Sequence, residues 1–370
     1  MKIVFSSNIS WSIYNFRTLL LKSLQKDGHI IYTVASKDKY ADKLIDEGFF
    51  FDEVKLNNNS KNPFEDIKLV FQYYKLYKKI QPDVICHNAI KPNIYGTIVA
   101  KFLGIPVVNN ISGLGTLFIE ESFSTKIAKL LYKFSQKYAN TVFFQNQNDL
   151  SLFVNENLID SEKVKLIPGS GVDTNLFKQK KNESLNIFKF IFVGRLLTDK
   201  GIIELYDAVL NLSKMRNDFK VIIVGDRYDS NKTCITKAQL DLFKNNSLFD
   251  FVGHTDKVYD ELIKANCLIL PSYREGLSKV LIEAGSSGIP CITTDVPGCK
   301  DVIIDGFNGF IVTPKNSDSI LEAMLKILNC DSNKLIELSN NARKNILDKF
   351  SIDIVNQIYV NEIYKSLKIK

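Results

Sequence analysis

Two glutamates eight residues apart, Glu275 and Glu283, lie in the segment Pro271-Ser272-Tyr273-Arg274-Glu275-Gly276-Leu277-Ser278-Lys279-Val280-Leu281-Ile282-Glu283-Ala284. The apolar run Cys267–Leu270 before it reads as a buried parallel strand. Pro271 and Gly276 punctuate a turn, and a helical pattern starts at Leu277 with Val280, Leu281 and Ala284 on one side. A helix N-terminus offers unpaired N–H groups and positive dipole to an anion, here near Leu277 and Ser278. A carboxylate beside such a site can bind the hydroxyls of whatever the phosphate carries, which is the logic of a nucleotide-sugar site. Both glutamates equally fit ordinary solvated helix positions.

The elements that position these residues form two series. In the first half the strands Ile3–Phe5, Ile30–Val34, Val84–Cys86, Val107–Val108 and Val142–Phe144 alternate with helices over Thr18–Lys26, Asp66–Ile80 and Thr125–Tyr138. That pattern predicts a parallel α/β sheet. The run Lys163–Pro168 leads to Gly169-Ser170-Gly171, a glycine-rich break and hinge. A second series begins with strands over 189–193 and 220–224 and continues over 249–252, 267–270, 290–293 and 309–312. Neither Gly194-Arg195 nor Gly225-Asp226 completes a G-x-G-x-x-G fingerprint, so a dinucleotide-dehydrogenase reading loses its support. The expected architecture is two tandem Rossmann-like domains facing across a cleft, residues 1–168 and 169–350.

The chain of 370 residues is too long for one ordinary core. It is 45% hydrophobic and 24% charged, a globular composition. Six cysteines without a C-x-x-C pair argue for reduced thiols in a cytoplasmic protein. His29, His87 and His254 are too scattered for a metal cluster, and no D-x-D pair occurs, so no metal is expected. No apolar run approaches the roughly 20 residues of a membrane span, and Met1–Phe5 enters a strand directly, unlike a signal peptide. The net charge is +7, mostly within the first 170 residues. That excess suits an anionic acceptor or membrane surface, or reflects a Lys-rich composition. Without a dense basic cluster, nucleic acid is not an expected partner.

The motifs resemble those of family-4 retaining glycosyltransferases, which have the GT-B fold. Glu275 and Glu283 fit that family's E-x7-E donor signature. Gly194-Arg195-Leu196 with Lys200-Gly201 resembles its diphosphate-binding element, and Gly171-Val172-Asp173 with Phe177 its linker hallmark. Asp295-Val296-Pro297-Gly298 and Asp305-Gly306-Phe307-Asn308-Gly309 resemble two later turns of the same domain. Tyr14-Asn15-Phe16-Arg17, Lys91-Pro92-Asn93, Gly113-Leu114-Gly115 and Phe144-Gln145-Asn146 resemble the branch that moves sugars, often N-acetylhexosamines, onto undecaprenyl-diphosphate-linked acceptors.

The resemblance implies a UDP-sugar donor, with N-acetylgalactosamine favoured, a lipid-diphosphate-linked acceptor, and work at the anionic inner face of the cell membrane. It implies that Arg195 and Lys200 neutralise the leaving diphosphate, stabilising the transition state more than the ground state. Glu275 then lies beside the transferred sugar, Glu283 on the ribose hydroxyls, and Gly276, Leu277 and Ser278 near the β-phosphate. His87 contacts the donor sugar from the first domain, and His254 follows the strand where the nucleotide base sits. Asn15, Arg17 and Lys91 face the acceptor, as do Gly113 and Gly115, whose glycines let backbone approach it. A C-terminal helix over 351–370 crosses back to the first domain.

Two further readings stay open: a UDP-sugar 2-epimerase on the same double fold, and a non-catalytic nucleotide-sugar-binding module. In the helix Thr125–Tyr138, Lys126, Lys129, Lys133 and Lys137 recur at helical spacing beside Ile127, Leu130, Leu131, Phe134 and Tyr138. That is either an interfacial basic helix or a solvated lysine face over a packed apolar stripe.

Overall fold

The computed structural model describes residues 1–56, 62–114, 122–180, 187–229 and 231–367. The chain divides into two units, Met1–Ser170 with Asp353–Lys370, and Gly171–Ile352. The expected domain limits lie within two residues of these breaks.

The first unit runs β1 (Lys2–Ile9), α1 (Ser10–Lys26), β2 (Ile30–Ser36), α2 (Tyr40–Asp46), β3 (Phe50–Glu53), α3 (Pro63–Ile80), β4 (Val84–Asn88), α4 (Thr97–Phe102), β5 (Val107–Ile111), α5 (Phe123–Gln136), β6 (Thr141–Phe144), α6 (Gln147–Asn155) and β7 (Val164–Leu166). A π-helical turn, Pro92–Gly96, leads into α4. The sheet order is β3-β2-β1-β4-β5-β6-β7, and every pairing is parallel. Alternation along the central strands fills a core on each face: Val4 and Ile85 look one way, Ile3, Phe5 and Val84 the other. Tyr73 and Tyr77 of α3, Val99 of α4, Tyr132 of α5 and Phe153 of α6 cover the first face. Helices α1 and α2 cover the second. Helix starts follow local chemistry. The Asn62 side chain caps α3, with Pro63 at the first position, and Ser122 forms a capping box with Thr125 at α5.

The second unit runs β8 (Phe188–Val193), α7 (Ile202–Ser213), β9 (Phe219–Val224), α8 (Lys237–Lys244), β10 (Phe249–Gly253), α9 (Val258–Leu262), β11 (Cys267–Leu270), α10 (Lys279–Ser286), β12 (Cys291–Thr294), β13 (Gly309–Val312), α11 (Ser317–Leu328) and α12 (Ser332–Lys349). Its sheet is also parallel, in the order β10-β9-β8-β11-β12-β13. The order reverses between β8 and β11, the switch point where open α/β sheets bind ligands beyond the strand ends. Val172 pairs with Ser351, so the two chain crossings between the units lie side by side.

The last helix, α13 (Ile352–Leu367), belongs to the first unit, apart from its first residue. Val355, Tyr359 and Ile363 are buried in the α1 face of the sheet, with the Tyr359 ring 4.6 Å from Phe143. Glu362 accepts from Thr141 at 2.8 Å and pairs with Lys165.

One expectation is corrected here and one open alternative is decided. Helix α10 starts at Lys279 rather than Leu277, because Ser278 is extended at the N-cap position. In α5 most of the apolar stripe is not packed, although Leu131 is partly buried against the core. Thr125, Ala128, Tyr132, Ser135 and Gln136 face the core, while Ile127, Leu130 and Phe134 are exposed beside Lys126, Lys133 and Lys137. Lys129 is drawn aside by Glu156, 2.8 Å away.

Candidate active site

The donor-type residues converge beyond the β8 and β11 ends of the second sheet. Gly194 and Arg195 follow β8, and the chain returns through Leu197–Lys200 to the start of α7. The loop 271–278 follows β11. Tyr273 N–H donates to Asp199 O at 2.9 Å, joining the two loops. Gly201 makes that contact sterically possible: a Cβ there would stand 2.1 Å from Pro271 O.

At this junction the Lys200 ammonium is ion-paired with the Glu275 carboxylate, and both side chains are mostly covered. Ser272 Oγ donates to the same carboxylate oxygen at 2.8 Å. A third loop props the glutamate from below. Glu275 N–H donates to Pro297 O at 3.1 Å and Ser278 N–H to Gly298 O at 3.0 Å. Gly298 has φ +78°, and a Cβ would lie 2.6 Å from Glu275 O. The Asp295–Gly298 turn is therefore the floor of the Glu275 loop. Cys299 beside it is buried, and desolvation pushes its thiol up to about 12, so it stays a neutral packing group.

Arg195 is exposed, with its guanidinium 5.4 Å over the Tyr228 ring. Among the described residues it makes no ion pair, in contrast with Lys200. Glu283 is buried on α10, and its Oε1 is 3.6 Å from Lys279 Nζ. Burial raises its carboxyl above the ordinary range, and the lysine opposes that rise. His254 follows β10, is largely exposed, and lies 3.5 Å from Asp256. The Ser278 N–H is taken by Gly298, which corrects its expected part in anion binding. Leu277 N–H, beside Gly276, makes no hydrogen bond among the described residues.

The first-unit residues are placed differently from expectation. His87 lies within β4 and is fully buried. Its Nε2 is 2.9 Å from Tyr77 Oη and its Nδ1 2.9 Å from Asn109 Oδ1. Desolvation lowers its pKa to about 4, so it is neutral at physiological pH. A donor-sugar contact is thereby corrected to a structural role: both ring nitrogens are already engaged. Gly96 exists for this packing, since a Cβ there would meet His87 Nε2 at 2.4 Å.

Arg17 is also buried, not presented to an acceptor. Its guanidinium lies 4.8 Å over the Tyr359 ring, and its Nε and Nη2 donate to Asn88 Oδ1 at 3.4 and 3.3 Å. It holds α13 against β4. Lys91 is paired with Asp66 at 2.8 Å, and Tyr95 donates to the same carboxylate at 2.7 Å, so its charge is balanced locally. Asn15 donates to Trp11 O within α1. Gly113 lies half-buried after β5, and Gly115 lies outside the described residues.

Sequence reasoning missed Ser272, Asp199 and Asn109, which position the others. Ser272 and Asp199 stand in the loops after β11 and β8, and Asn109 is a polar residue in the middle of the buried strand β5. Among the described residues no group of three or more His, Cys, Asp or Glu is arranged to hold a metal ion.

Two parallel-sheet units in tandem, the second with a paired lysine and glutamate at its switch point, are the GT-B architecture. Comparison with known proteins gives the family. The model of "Glycosyl transferases group 1" matches residues 173–345, and that of "Glycosyl transferase 4-like" matches residues 2–146. The chain belongs to these group 1, family-4-type glycosyltransferases. It is 28% identical to the N,N'-diacetylbacillosaminyl-diphospho-undecaprenol alpha-1,3-N-acetylgalactosaminyltransferase of Campylobacter jejuni, over 97% of each chain. It is 28% identical to the UDP-Gal:alpha-D-GlcNAc-diphosphoundecaprenol alpha-1,3-galactosyltransferase of Escherichia coli, over 81% of this chain and 80% of that one. The structure of Anabaena HepE in complex with UDP superimposes with a TM-score of 0.81 at 18% identity, covering 99% of this chain and 100% of that one, which speaks to the fold.

Proposed function

We propose that this protein transfers a sugar with retention of configuration from a UDP-sugar, N-acetylgalactosamine favoured, to an undecaprenyl-diphosphate-linked saccharide, in assembling a bacterial surface glycan or glycoprotein glycan. The observation that carries the donor half is the Lys200–Glu275 pair beside exposed Arg195, all at the strand ends of one sheet. Support for the acceptor half comes from the relatives, two of which act on diphospho-undecaprenol-linked sugars.

In this reading Arg195 and Lys200 hold the diphosphate and take up charge as the anomeric C–O bond breaks. Glu275 faces the sugar hydroxyls and the developing positive charge of the ring. Glu283 faces the ribose. The leaving phosphate oxygen takes the proton from the acceptor hydroxyl, whose oxygen forms the new bond on the same face. The two cationic side chains supply positive charge that a divalent metal supplies elsewhere, so no cofactor is required. The enzyme works at the cytoplasmic face of the cell membrane as a peripheral protein. No described helix is long and apolar enough to cross a membrane.

The test is UDP release and product analysis across UDP-sugars, with and without a diphosphate-lipid-linked saccharide. Acceptor-dependent release with a glycosylated lipid product is expected. Conversion of the donor without acceptor would favour epimerisation, and binding without turnover would favour a sensor.

A further inference from the structure

In the first unit, helices α3 and α5 carry their apolar side chains on the wrong pole. A surface helix ordinarily points apolar residues inward and polar ones to water. Helix α3 does send Leu69, Tyr73 and Tyr77 into the core. Its opposite pole, however, carries Phe64, Ile67, Phe71 and Tyr74, all exposed, with Phe71 at 61%. Helix α5 repeats the arrangement. Phe123, Ile127, Leu130 and Phe134 project to solvent, Phe123 at 79% and Leu130 at 68%. Between them α4 packs against both helices and ends in Phe102, 82% exposed. All three pack on the same face of the sheet, so their outward poles form one side of the unit.

The exposed charges on this side are mostly positive. Lys68, Lys75 and Lys78 flank the α3 stripe, Lys101 precedes Phe102, and Lys126, Lys133 and Lys137 flank the α5 stripe; all are exposed. Lys78 lies 5.8 Å from the Tyr74 ring and Lys137 5.0 Å from the Phe134 ring. Helix α5 contains no carboxylate. On α3 the two acids are Glu65, in the first turn, and Asp66, which is turned inward to Lys91 and Tyr95. Folded-protein interfaces are depleted of lysine at their cores. Aromatic and aliphatic side chains interleaved with lysine, on helices lying along a surface, suit a bilayer whose headgroups are anionic.

We propose that the outward side of α3, α4 and α5 docks on an anionic lipid bilayer, the apolar stripes entering the headgroup–acyl boundary and the lysines meeting the phosphates. The proposal rests on the lipid-linked acceptor reading for its setting, and gives that reading a contact surface.

The test is co-sedimentation with phosphatidylcholine vesicles, with and without phosphatidylglycerol and free of acceptor. The native chain is expected to bind only the anionic vesicles. Lys75→Glu with Lys133→Glu is expected to weaken binding at least about 25-fold, since roughly 1 kcal/mol per lysine is about fivefold each. Phe71→Ser with Leu130→Ser is expected to weaken it tenfold or more, and neither pair is expected to change UDP binding, which reports the fold. Native protein that ignores anionic vesicles, or binding that survives both pairs of substitutions, overturns the proposal. So does a dimer that the Phe71/Leu130 variant splits without change in vesicle binding, because the face then belongs to a second copy. Adding lipid-diphosphate acceptor separates the two readings. Docking that depends on this face without any transfer defeats the functional reading alone. Transfer from vesicles at the native rate by both variants defeats the docking proposal alone.

Discussion

Lys200 and Glu275, seventy-five residues apart, share one ion pair across two loops, and Glu275 is hydrogen-bonded by Ser272 on the same oxygen. Both residues are assigned to the donor, so without donor each satisfies the other. A diphosphate arriving at Lys200 must compete with the carboxylate. Glu275→Gln removes that competitor and its repulsion of the phosphates. It is expected to tighten UDP binding several-fold while transfer falls by a factor on the order of 10². Isothermal titration with UDP checks the first part, and weaker UDP binding in this variant would count against the pairing as the resting state.

Among the described residues Arg195 makes no ion pair, and its exposed guanidinium can meet phosphate directly. Arg195→Ala and Lys200→Ala are each expected to lower kcat/KM by a factor on the order of 10²–10³. The double variant falls short of the product, because both act on one diphosphate. Transfer by the native enzyme is expected to persist in EDTA. Near-native turnover in either single variant, or strict dependence on Mg²⁺ or Mn²⁺, would remove these cations from the proposed role.

The second sheet was the most legible part of the chain. Runs such as Phe190–Val193 and Val221–Val224 are buried between helices, so continuous apolarity marks them well. Strand β3, Phe50–Glu53, escaped notice because it is a four-residue edge strand with two polar positions. The loop glutamate and the cations stood out only through their resemblance to family motifs, and their ion pair was not legible at all, since it depends on how close Gly201 lets two loops approach. His87 was misread, and the choice between the two readings of α5 was hidden, for one reason. A buried amide network, in which Asn109 donates to Gln136 at 2.7 Å and Gln136 donates to Asn93 O at 2.8 Å, makes a polar side of α5 the inner side. Periodicity sorts residues by polarity, and such a network inverts the rule that polar faces water.

Gly298 and Gly306 offer a matched pair of backbone tests. Both have positive φ, +78° and +70°, but a Cβ at Gly306 meets nothing within 4 Å, whereas at Gly298 it strikes Glu275 O and Gly276 O. Gly306→Ala is expected to cost about 1 kcal/mol from the strained conformation alone and leave kcat/KM unchanged. Gly298→Ala adds displacement of the Glu275 loop, and is expected to lower kcat/KM at least tenfold with a larger loss of Tm. Equal activity in the two variants would mean that the 295–298 turn does not position Glu275.

His87 gives the fold a pH dependence with a defined sign. In the unfolded chain its imidazole takes a proton near the ordinary 6.5, while in the folded protein desolvation holds the pKa at about 4. Between these values the unfolded state binds more protons, so stability falls as pH drops from about 6.5 toward 4 and is unaffected by this residue above that window. The full effect is on the order of 3 kcal/mol. It would reach the hydrogen bonds to Tyr77 and Asn109, and through Asn109 to Gln136 on α5. His87→Gln keeps a polar group there without the titration. The variant starts less stable at pH 7.5, but its stability is expected to fall less steeply between pH 6.5 and 4.5, as measured by urea unfolding at several pH values. Parallel pH slopes for native and variant protein would show that His87 takes its proton as readily inside the fold as outside it, which its buried contacts with Tyr77 and Asn109 do not allow.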